Sequence, residues 1–301
     1  MARRQRRSGQ KRSLTPFILI ALVVVTVVVA YYIFTASPAS QASPSIGQPV
    51  SPEIMGYLTG VSDATLGSIA GSGVGTPTAM TPASPPLTSN GKPEVFYIGG
   101  EYCPYCAVER WAMIVALSRF GNFSGVEYMV SSATDTPPSV PTFTFAHATY
   151  ASNYITFVPT EQYDRNNDPY QTPPGNESKI MQANDPQGSI PFIDFANQYV
   201  QVGSQYSPPF PVSGNWSAIA PLLNTPSSPV AQEVDGAAIK LMQTICKITS
   251  NQPSSVCSES YVATTSFDKA PASPLPLAVA GVPRGTLGLE AYTPIRTVYR
   301  T

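Results

Sequence analysis

The residues best suited to chemistry in this sequence are the two cysteines of a Cys-Pro-Tyr-Cys segment, Cys103 and Cys106. A cysteine thiolate attacks disulfides, and two cysteines at this spacing can close and reopen a disulfide with each other. The segment therefore predicts a catalytic pair in which Cys103 exchanges with a partner sulfur and Cys106 resolves the mixed disulfide. We assign the intervening Pro104 and Tyr105 to substrate binding. Exchange between sulfur atoms needs no cofactor, and none is expected.

A strand before the cysteines and a helix after them would position this pair. Residues 93–99 form an apolar run of the β type, and apolar residues then recur at helical spacing. The helical face comprises Ala107, Trp111, Ile114, Val115 and Ser118. Unpaired N–H groups and the dipole at a helix N-terminus favour a thiolate. We therefore expect Cys103 to be exposed at the helix N-terminus and Cys106 to be more buried, one turn further on.

The other two cysteines, Cys246 and Cys257, are predicted to form a structural disulfide. The loop that this bond would close is worth about 3 kcal/mol by chain entropy. A second redox pair is the alternative for these residues. A zinc site that joins all four cysteines would need a second pair with closer spacing, so no metal is expected. A Cys-x-x-Cys segment can also be a purely structural disulfide.

A proline far downstream of the cysteines supports the redox interpretation. Pro191 opens the apolar run Phe192–Phe195, where a proline cannot donate to the strand ladder. In thioredoxin-like folds such a proline is cis and faces the active-site sulfurs, while the backbone of the preceding residue pairs with an extended substrate. Ile190 and Pro191 are therefore assigned to substrate binding. A trans proline at a strand edge is the structural alternative.

Several segments together resemble a known family. They read EYCPYCAVERW, LSRFGNF, PTFTF, GSIPFID and ICKITSNQPSSVC. Over roughly residues 50–260 the chain resembles a mostly archaeal, membrane-anchored family, domain of unknown function 929, which is grouped with the thioredoxin-like proteins. The resemblance implies a thioredoxin-like domain with Cys103 and Cys106 at the active-site position. Thioredoxins bury a proton-accepting Asp six residues before the first cysteine, but this sequence has Tyr97 there; Glu94 and Glu101 are the nearest acids.

The N-terminal region predicts a membrane anchor. Phe17–Phe34 is an uncharged run of 18 residues, long enough to cross the hydrocarbon core of a bilayer. The six basic residues among the first 12 should remain cytoplasmic, which places the rest of the chain outside the cytoplasm. A cleaved signal peptide is the alternative. The remaining chain carries 11 basic and 18 acidic residues, so no nucleic-acid partner is expected.

The predicted fold class is α/β: a thioredoxin-like sheet with flanking helices and a long β-rich insertion, preceded by one transmembrane helix. We expect short helices that begin after the N-caps Ser51 and Ser62, a strand at 126–131, a hairpin at Phe192–Val202, and helices at Trp216–Leu223 and Val230–Ile248. The predicted segments are a basic cytoplasmic stretch (1–13), the anchor (14–36), a linker with short helices (37–90), the thioredoxin-like domain (91–260, insertion 133–187) and a flexible tail (261–301).

These features favour a membrane-anchored extracytoplasmic thiol–disulfide oxidoreductase. Its substrate would be a protein thiol or disulfide, and a membrane redox partner would recycle it. The main rival is a non-enzymatic ectodomain that binds a surface or envelope partner and uses the Cys-x-x-Cys as a permanent disulfide. Copper delivery by Cys103 and Cys106 is a third hypothesis. Charged residues make up only 12% of the chain, which would suit an acidic exterior.

Overall fold

The computed structural model describes residues 25–26, 46–70, 74–80, 85–208 and 215–263. The predicted anchor at 14–36 lies outside these ranges except for Val25 and Thr26, which are helical. Among the helices of the described ranges, none is long and apolar enough to cross a membrane. The predicted tail lies outside the described ranges from residue 264 onward.

A mixed sheet forms the centre of the fold. Its strands are β1 (Thr78–Ala79), β2 (Thr88–Ser89), β3 (Lys92–Gly100), β8 (Thr156–Tyr163), β9 (Phe192–Phe195) and β10 (Tyr199–Val202). The strand β3 pairs with β8 in parallel and with β9 antiparallel, and β10 and β1 continue the sheet beyond β9. The short β2 pairs with the start of β3. The hairpin predicted after Pro191 is the β9–β10 pair.

Helices cover both faces of this sheet. On one face, α3 (Pro104–Leu117) and α6 (Gly236–Ile248) pack on alternate residues of β3, such as Val95 and Tyr97. On the other face, α4 (Gly175–Asn184) packs on the intervening residues through Met181. Both faces of β3 are therefore buried, which explains why its sequence is apolar throughout rather than alternating.

Two small antiparallel sheets lie between α3 and β8. One pairs β4 (Gly121–Ser124) with β7 (Thr149–Ser152), and the other pairs β5 (Glu127–Val130) with β6 (Pro141–Thr144). The predicted insertion (133–187) does not coincide with these two small sheets. It contains β8, which pairs in parallel with β3 in the main sheet, whereas the strand predicted at 126–131 is β5, which belongs to a small sheet. Pro159 interrupts the strand-like sequence pattern of β8. The proline is tolerated there because β8 is an edge strand: among the described strands it pairs only with β3.

Residues assigned to a linker are part of the core. The helices α1 (Pro52–Thr59) and α2 (Asp63–Ile69) begin after the N-caps Ser51 and Ser62, as the sequence predicts. Their apolar side chains are buried in the same core as those of α3: Ile54, Leu58, Leu66 and Ile69. The predicted division between a linker (37–90) and a domain (91–260) is thus wrong in this stretch, because the face that these helices bury belongs to the domain.

The C-terminal helices close the core. The predicted helix at Trp216–Leu223 divides into α5 (Trp216–Ile219) and a 3₁₀ turn (Ala220–Asn224). The second predicted helix begins with a π-helical turn (Ala231–Asp235) before α6. Cys246 near the end of α6 is bonded to Cys257 at the end of α7 (Ser254–Cys257), with the two Cα atoms 5.6 Å apart.

Removal of this disulfide should destabilise the fold without affecting the Cys103–Cys106 pair. The bond closes a loop of 11 residues, so the double variant Cys246→Ala/Cys257→Ala should lose about 3 kcal/mol of unfolding free energy because its unfolded chain is less constrained. Urea unfolding of the full chain, with and without the substitutions, measures this loss. An unchanged midpoint would show that the bond does not restrict the unfolded state.

Candidate active site

The first cysteine caps the helix that contains the second. Cys103 is the N-cap of α3, and its Sγ accepts a hydrogen bond from the backbone N–H of Cys106 at 3.2 Å. Pro104 occupies the first turn of α3, where its missing N–H costs no helical hydrogen bond. The helix therefore begins at the Cys-Pro-Tyr-Cys segment, as the sequence predicts, and its free N–H groups point toward one sulfur atom.

The two thiols differ in their environments. A hydrogen bond from the Cys106 thiol holds the pKa of the Cys103 thiol below its usual value against the opposing effect of burial, and the Cys106 backbone N–H and the Arg110 guanidinium add to this lowering. Burial raises the pKa of the Cys106 thiol well above its usual value, and proximity to Cys103 raises it further. This asymmetry suits a first sulfur that reacts as a thiolate and a second that stays protonated until it is needed.

The expectation of an exposed Cys103 is wrong, although Cys106 is the more buried of the two, as predicted. Cys103 is 6% exposed and Cys106 is fully buried, whereas Tyr105 between them is 44% exposed. Cys103 is covered because the segment before Pro191 approaches it, with the Cys103 Sγ 3.9 Å from the carbonyl oxygen of Ile190. Tyr105 therefore presents the most accessible surface of the loop.

The structure brings Ile190 and Pro191 to the cysteines, as the sequence predicts. The Ile190–Pro191 peptide bond is cis, and the Ile190 carbonyl is a neighbour of the Cys103 sulfur, 87 residues away in the sequence. The preceding loop is held by Asp185, which accepts hydrogen bonds from the backbone N–H groups of Gln187 and Ser189. Asp185 is thus a positioning residue that the sequence analysis missed.

A fully buried ion pair lies behind the cysteines. The Nη2 and Nε atoms of Arg110 donate to the two carboxylate oxygens of Glu161, at 2.6 and 2.8 Å, and both side chains are 0% exposed. Arg110 is one turn beyond Cys106 on α3, and Glu161 is on β8. Neither residue is predicted from the sequence, where the one signal is a basic residue four positions after Cys106 in a helical run that is apolar apart from Glu109.

Tyr97, at the position where thioredoxins have an acid, occupies the space between β3 and α3. A Cβ atom on Gly99 would come within 2.0 Å of the Tyr97 hydroxyl, so only glycine leaves room for this side chain. The Arg110 guanidinium lies 5.8 Å from the centre of the Tyr97 ring. Within the described residues, the Tyr97 hydroxyl and Arg110 Nη1 are both buried without a hydrogen-bond partner.

Residues 80–183 match a protein-family model. The family is Domain of unknown function (DUF929). This match supports the resemblance that the sequence motifs indicate. The chain matches no curated protein and no solved structure.

The DUF929 segment contains most of the site. It includes both cysteines, Tyr97 and the Arg110–Glu161 pair, whereas Pro191 follows it. Glu101, also in the DUF929 segment, is the carboxyl group nearest to the cysteines in the sequence. Glu101 is 5% exposed, and burial raises its pKa although a hydrogen bond from Thr144 to Glu101 Oε1, 2.6 Å long, opposes the shift.

The described residues contain no cluster of three side chains suited to a metal ion. His147 lies in the DUF929 segment, well exposed on the surface, with its Nδ1 3.2 Å from Glu127 and its Nε2 3.2 Å from Tyr170. Asp164 accepts hydrogen bonds from the backbone of Asn166 and Asp168, so these residues stabilise a local turn.

Proposed function

We propose that this protein is a membrane-anchored, extracytoplasmic thiol–disulfide oxidoreductase. One observation carries the proposal: the Cys103 sulfur lies between the N-terminus of α3, where Cys106 N–H donates to it, and the Ile190 carbonyl at 3.9 Å. An extended substrate strand that pairs with the backbone of Ile190 would bring its own cysteine to Cys103. Tyr105, exposed beside this sulfur, would contact the same substrate.

The order of the elements supports a thioredoxin-like fold for this site. Strand β3, helix α3 and the parallel strand β8 form one half, and the antiparallel hairpin β9–β10 followed by α6 forms the other. This order places a helix N-terminus and the residues before β9 at the same end of the sheet. The two small sheets between α3 and β8 are additions to that plan.

The proposed reaction is thiol–disulfide exchange, in which only sulfur–sulfur bonds are exchanged. The Cys103 thiolate attacks a substrate disulfide, forms a mixed disulfide and releases one substrate thiolate, which takes up a proton. Cys106 then loses its proton and attacks Cys103 Sγ, which releases the second substrate thiol and leaves the Cys103–Cys106 disulfide. The substrate gains the two electrons that the protein pair loses, and the reverse sequence oxidises a substrate dithiol.

The N-terminal sequence supports the proposed location. A retained anchor at Phe17–Phe34, with basic residues before it, would place the active site outside the cytoplasm. The Cys246–Cys257 disulfide is of the kind that persists in oxidising compartments. The tether would also keep the active site close to a membrane redox partner.

The rival proposal, a binding domain with a permanent Cys103–Cys106 disulfide, draws on the low exposure of Cys103. A cysteine that is 6% exposed offers little surface to a partner. A permanent disulfide in a buried position would resist reduction, whereas a redox-active one would equilibrate with dithiol buffers.

The redox state of the four cysteines in graded dithiol buffers distinguishes these proposals. We expect Cys103 and Cys106 to change together between disulfide and dithiol, while Cys246 and Cys257 stay bonded. Alkylation of the full chain at each buffer potential, followed by peptide mass spectrometry, measures both pairs; the Cys246–Cys257 pair is the internal control. If Cys103 and Cys106 stay bonded until the protein unfolds, the binding-domain proposal replaces ours.

A further inference from the structure

Burial of the ion pair behind the cysteines costs the folded state desolvation free energy. Arg110 and Glu161 are both 0% exposed, and Arg110 is the only cation that is buried in the described part of the chain. Removing two charges from water costs several kcal/mol for each ion, and well-packed apolar residues usually stabilise a core as well or better. A fold that retains this pair beside two cysteines invites an explanation from the chemistry of the site.

The pair is joined to the backbone that holds Cys103. The carbonyl oxygen of Gly100 accepts hydrogen bonds from Arg110 Nη2 at 2.8 Å and from the backbone N–H of Cys103 at 3.2 Å. Both carboxylate oxygens of Glu161 accept hydrogen bonds from the same guanidinium, one from Nη2 and one from Nε. Arg110 thus links the end of β3, the start of α3 and strand β8 at the point where the catalytic loop begins.

The guanidinium also has an unused donor. Arg110 Nη1 is buried without a hydrogen-bond partner in the described residues, and the hydroxyl of Tyr97, whose ring lies 5.8 Å from the guanidinium, is in the same state. Buried polar groups without partners are rare in proteins, and they often bind an internal water or serve in catalysis. Here the two groups belong to the elements that enclose Cys106.

The reaction requires a negative charge at a buried atom. When Cys106 resolves the mixed disulfide, its thiol must lose a proton inside the protein, where an unpaired anion is strongly disfavoured. A fixed positive charge near that sulfur is worth more in such a dry site than in water. Arg110, one turn along α3 from Cys106, is the only buried cation of the described residues.

We propose that Arg110 is a positioning residue that stabilises the thiolates of Cys103 and Cys106, and that Glu161 fixes its guanidinium while moderating its charge. This proposal rests on the proposed oxidoreductase function, whose attacking species it concerns. The role of Arg110 then differs from that of the buried acid of thioredoxins, which accepts a proton. Arg110 lowers the free energy of the thiolate and accepts no proton itself. The proton of Cys106 is left to the groups around it or to a bound water.

Two substitutions that remove charges of opposite sign test this role. Arg110→Met removes the positive charge, so at pH 6 the rate of Cys103 alkylation by iodoacetamide should fall about tenfold for each unit by which the thiol pKa rises. Glu161→Gln removes the opposing negative charge, so the same rate should stay constant or increase. The midpoint potential of the pair should fall in Arg110→Met by about 30 mV for each tenfold change in the equilibrium.

The controls separate electrostatics from folding. Glu109→Gln changes another fully buried charged residue of α3, one that accepts hydrogen bonds from Ser204 and Gln205, and it should leave the alkylation profile unchanged. If Arg110→Met does not fold, the double variant Arg110→Met/Glu161→Gln buries no charge at this position and should show the same slow alkylation. Equal shifts in the same direction for the Arg110 and Glu161 variants, or none, would overturn the proposal.

The same measurements distinguish this inference from the proposed function. Alkylation reports the thiolate of Cys103 whether or not the protein has a redox substrate. A pair that exchanges with dithiol buffers but responds equally to all three substitutions would refute the role of Arg110 alone. The opposite result is a Cys103–Cys106 pair that never exchanges with dithiol buffers. If, after chemical reduction, Arg110→Met and Glu161→Gln still shift the alkylation rate in opposite directions, only the proposed oxidoreductase function is refuted.

Discussion

Cys103→Ser is expected to abolish disulfide exchange, whereas Cys106→Ser is expected to trap the substrate on Cys103. Serine lacks a nucleophilic thiolate, so loss of Cys103 should lower the exchange rate by at least about a thousandfold, as for other covalent nucleophiles. In Cys106→Ser the first step still occurs, because the Cys103 thiolate keeps its place at the N-terminus of α3 and the backbone N–H of residue 106 still donates to it. The resolving thiol is absent, so the mixed disulfide accumulates.

The experiment uses the reduced full chain with a model peptide that contains one disulfide. Non-reducing gel electrophoresis should show a higher-mass adduct for Cys106→Ser, and mass spectrometry should locate it at Cys103. The double variant Cys246→Ala/Cys257→Ala is the matched control and should exchange like the unmodified protein, since that bond lies at the end of α6. An adduct that forms equally in Cys103→Ser would place the reactive sulfur elsewhere.

Local signals in the sequence suffice to predict the Cys-Pro-Tyr-Cys loop. The N-cap position, a proline in the first helical turn and the apolar spacing after Cys106 are all short-range features, and α3 begins where they predict. The capping residues Ser51 and Ser62 likewise predict the starts of α1 and α2. Proximity between Cys103 and Ile190 was predicted from a combination of motifs, since it depends on tertiary contacts across 87 residues.

The features that the sequence does not predict depend on packing. The adjacent charges Glu109 and Arg110 are typical of the solvated face of a helix, yet α3 is covered by β6, β8, α6 and the loop around Tyr206, and both charges are buried. The predicted β-rich insertion contains β8, but its place in the main sheet is not predicted, because Pro159 interrupts its pattern and two small sheets separate it from α3 in the sequence. Neither residue spacing nor composition reveals which later strand will pair with β3.

The folded protein is expected to be most stable at acidic pH. Burial raises the pKa of Asp194 to about 7 and of Asp235 to about 8. The pKa of Glu94 is raised to about 7 by burial and by the neighbouring carboxyl groups of Glu177 and Asp194. In the unfolded chain these groups titrate near pH 4. The folded state therefore binds more protons between about pH 4 and pH 8, and stability falls as pH rises through that range.

The structural basis of this pH dependence is a shortage of cations inside the protein. Glu94 on β3, Asp194 on β9 and Glu177 on α4 meet beneath α4, and each has a buried oxygen without a hydrogen-bond partner in the described residues. Both carboxylate oxygens of Asp235 are also buried without such a partner. Two carboxyl groups can share a hydrogen bond only while one carries a proton, so deprotonation replaces an attraction with a repulsion.

Three shifts of about three pKa units each, at about 1.4 kcal/mol per unit, give an expected loss of unfolding free energy from pH 4.5 to pH 8 on the order of 10 kcal/mol. For a domain of this size that corresponds to a melting temperature lower by about 20–40 °C. Thermal unfolding of the full chain across this pH range measures it. Asp194→Asn keeps an oxygen for the Asn197 N–H and should flatten the profile by stabilising the protein at pH 8. The exposed control Asp168→Asn should not, and a stability maximum near neutral pH would contradict the prediction.

The buried carboxyl groups and the Arg110–Glu161 pair both bear on how the protein would behave at acidic pH. In an acidic exterior, protonated carboxyl groups can remain in the core at little cost, but an ordinary thiol would hold almost no thiolate and would exchange slowly. A fixed guanidinium does not titrate in this range, so it favours the thiolate when neighbouring carboxyl groups are neutral. The pH at which Cys103 alkylation reaches half its maximal rate should therefore lie below that of an ordinary thiol, and Arg110→Met should move it upward.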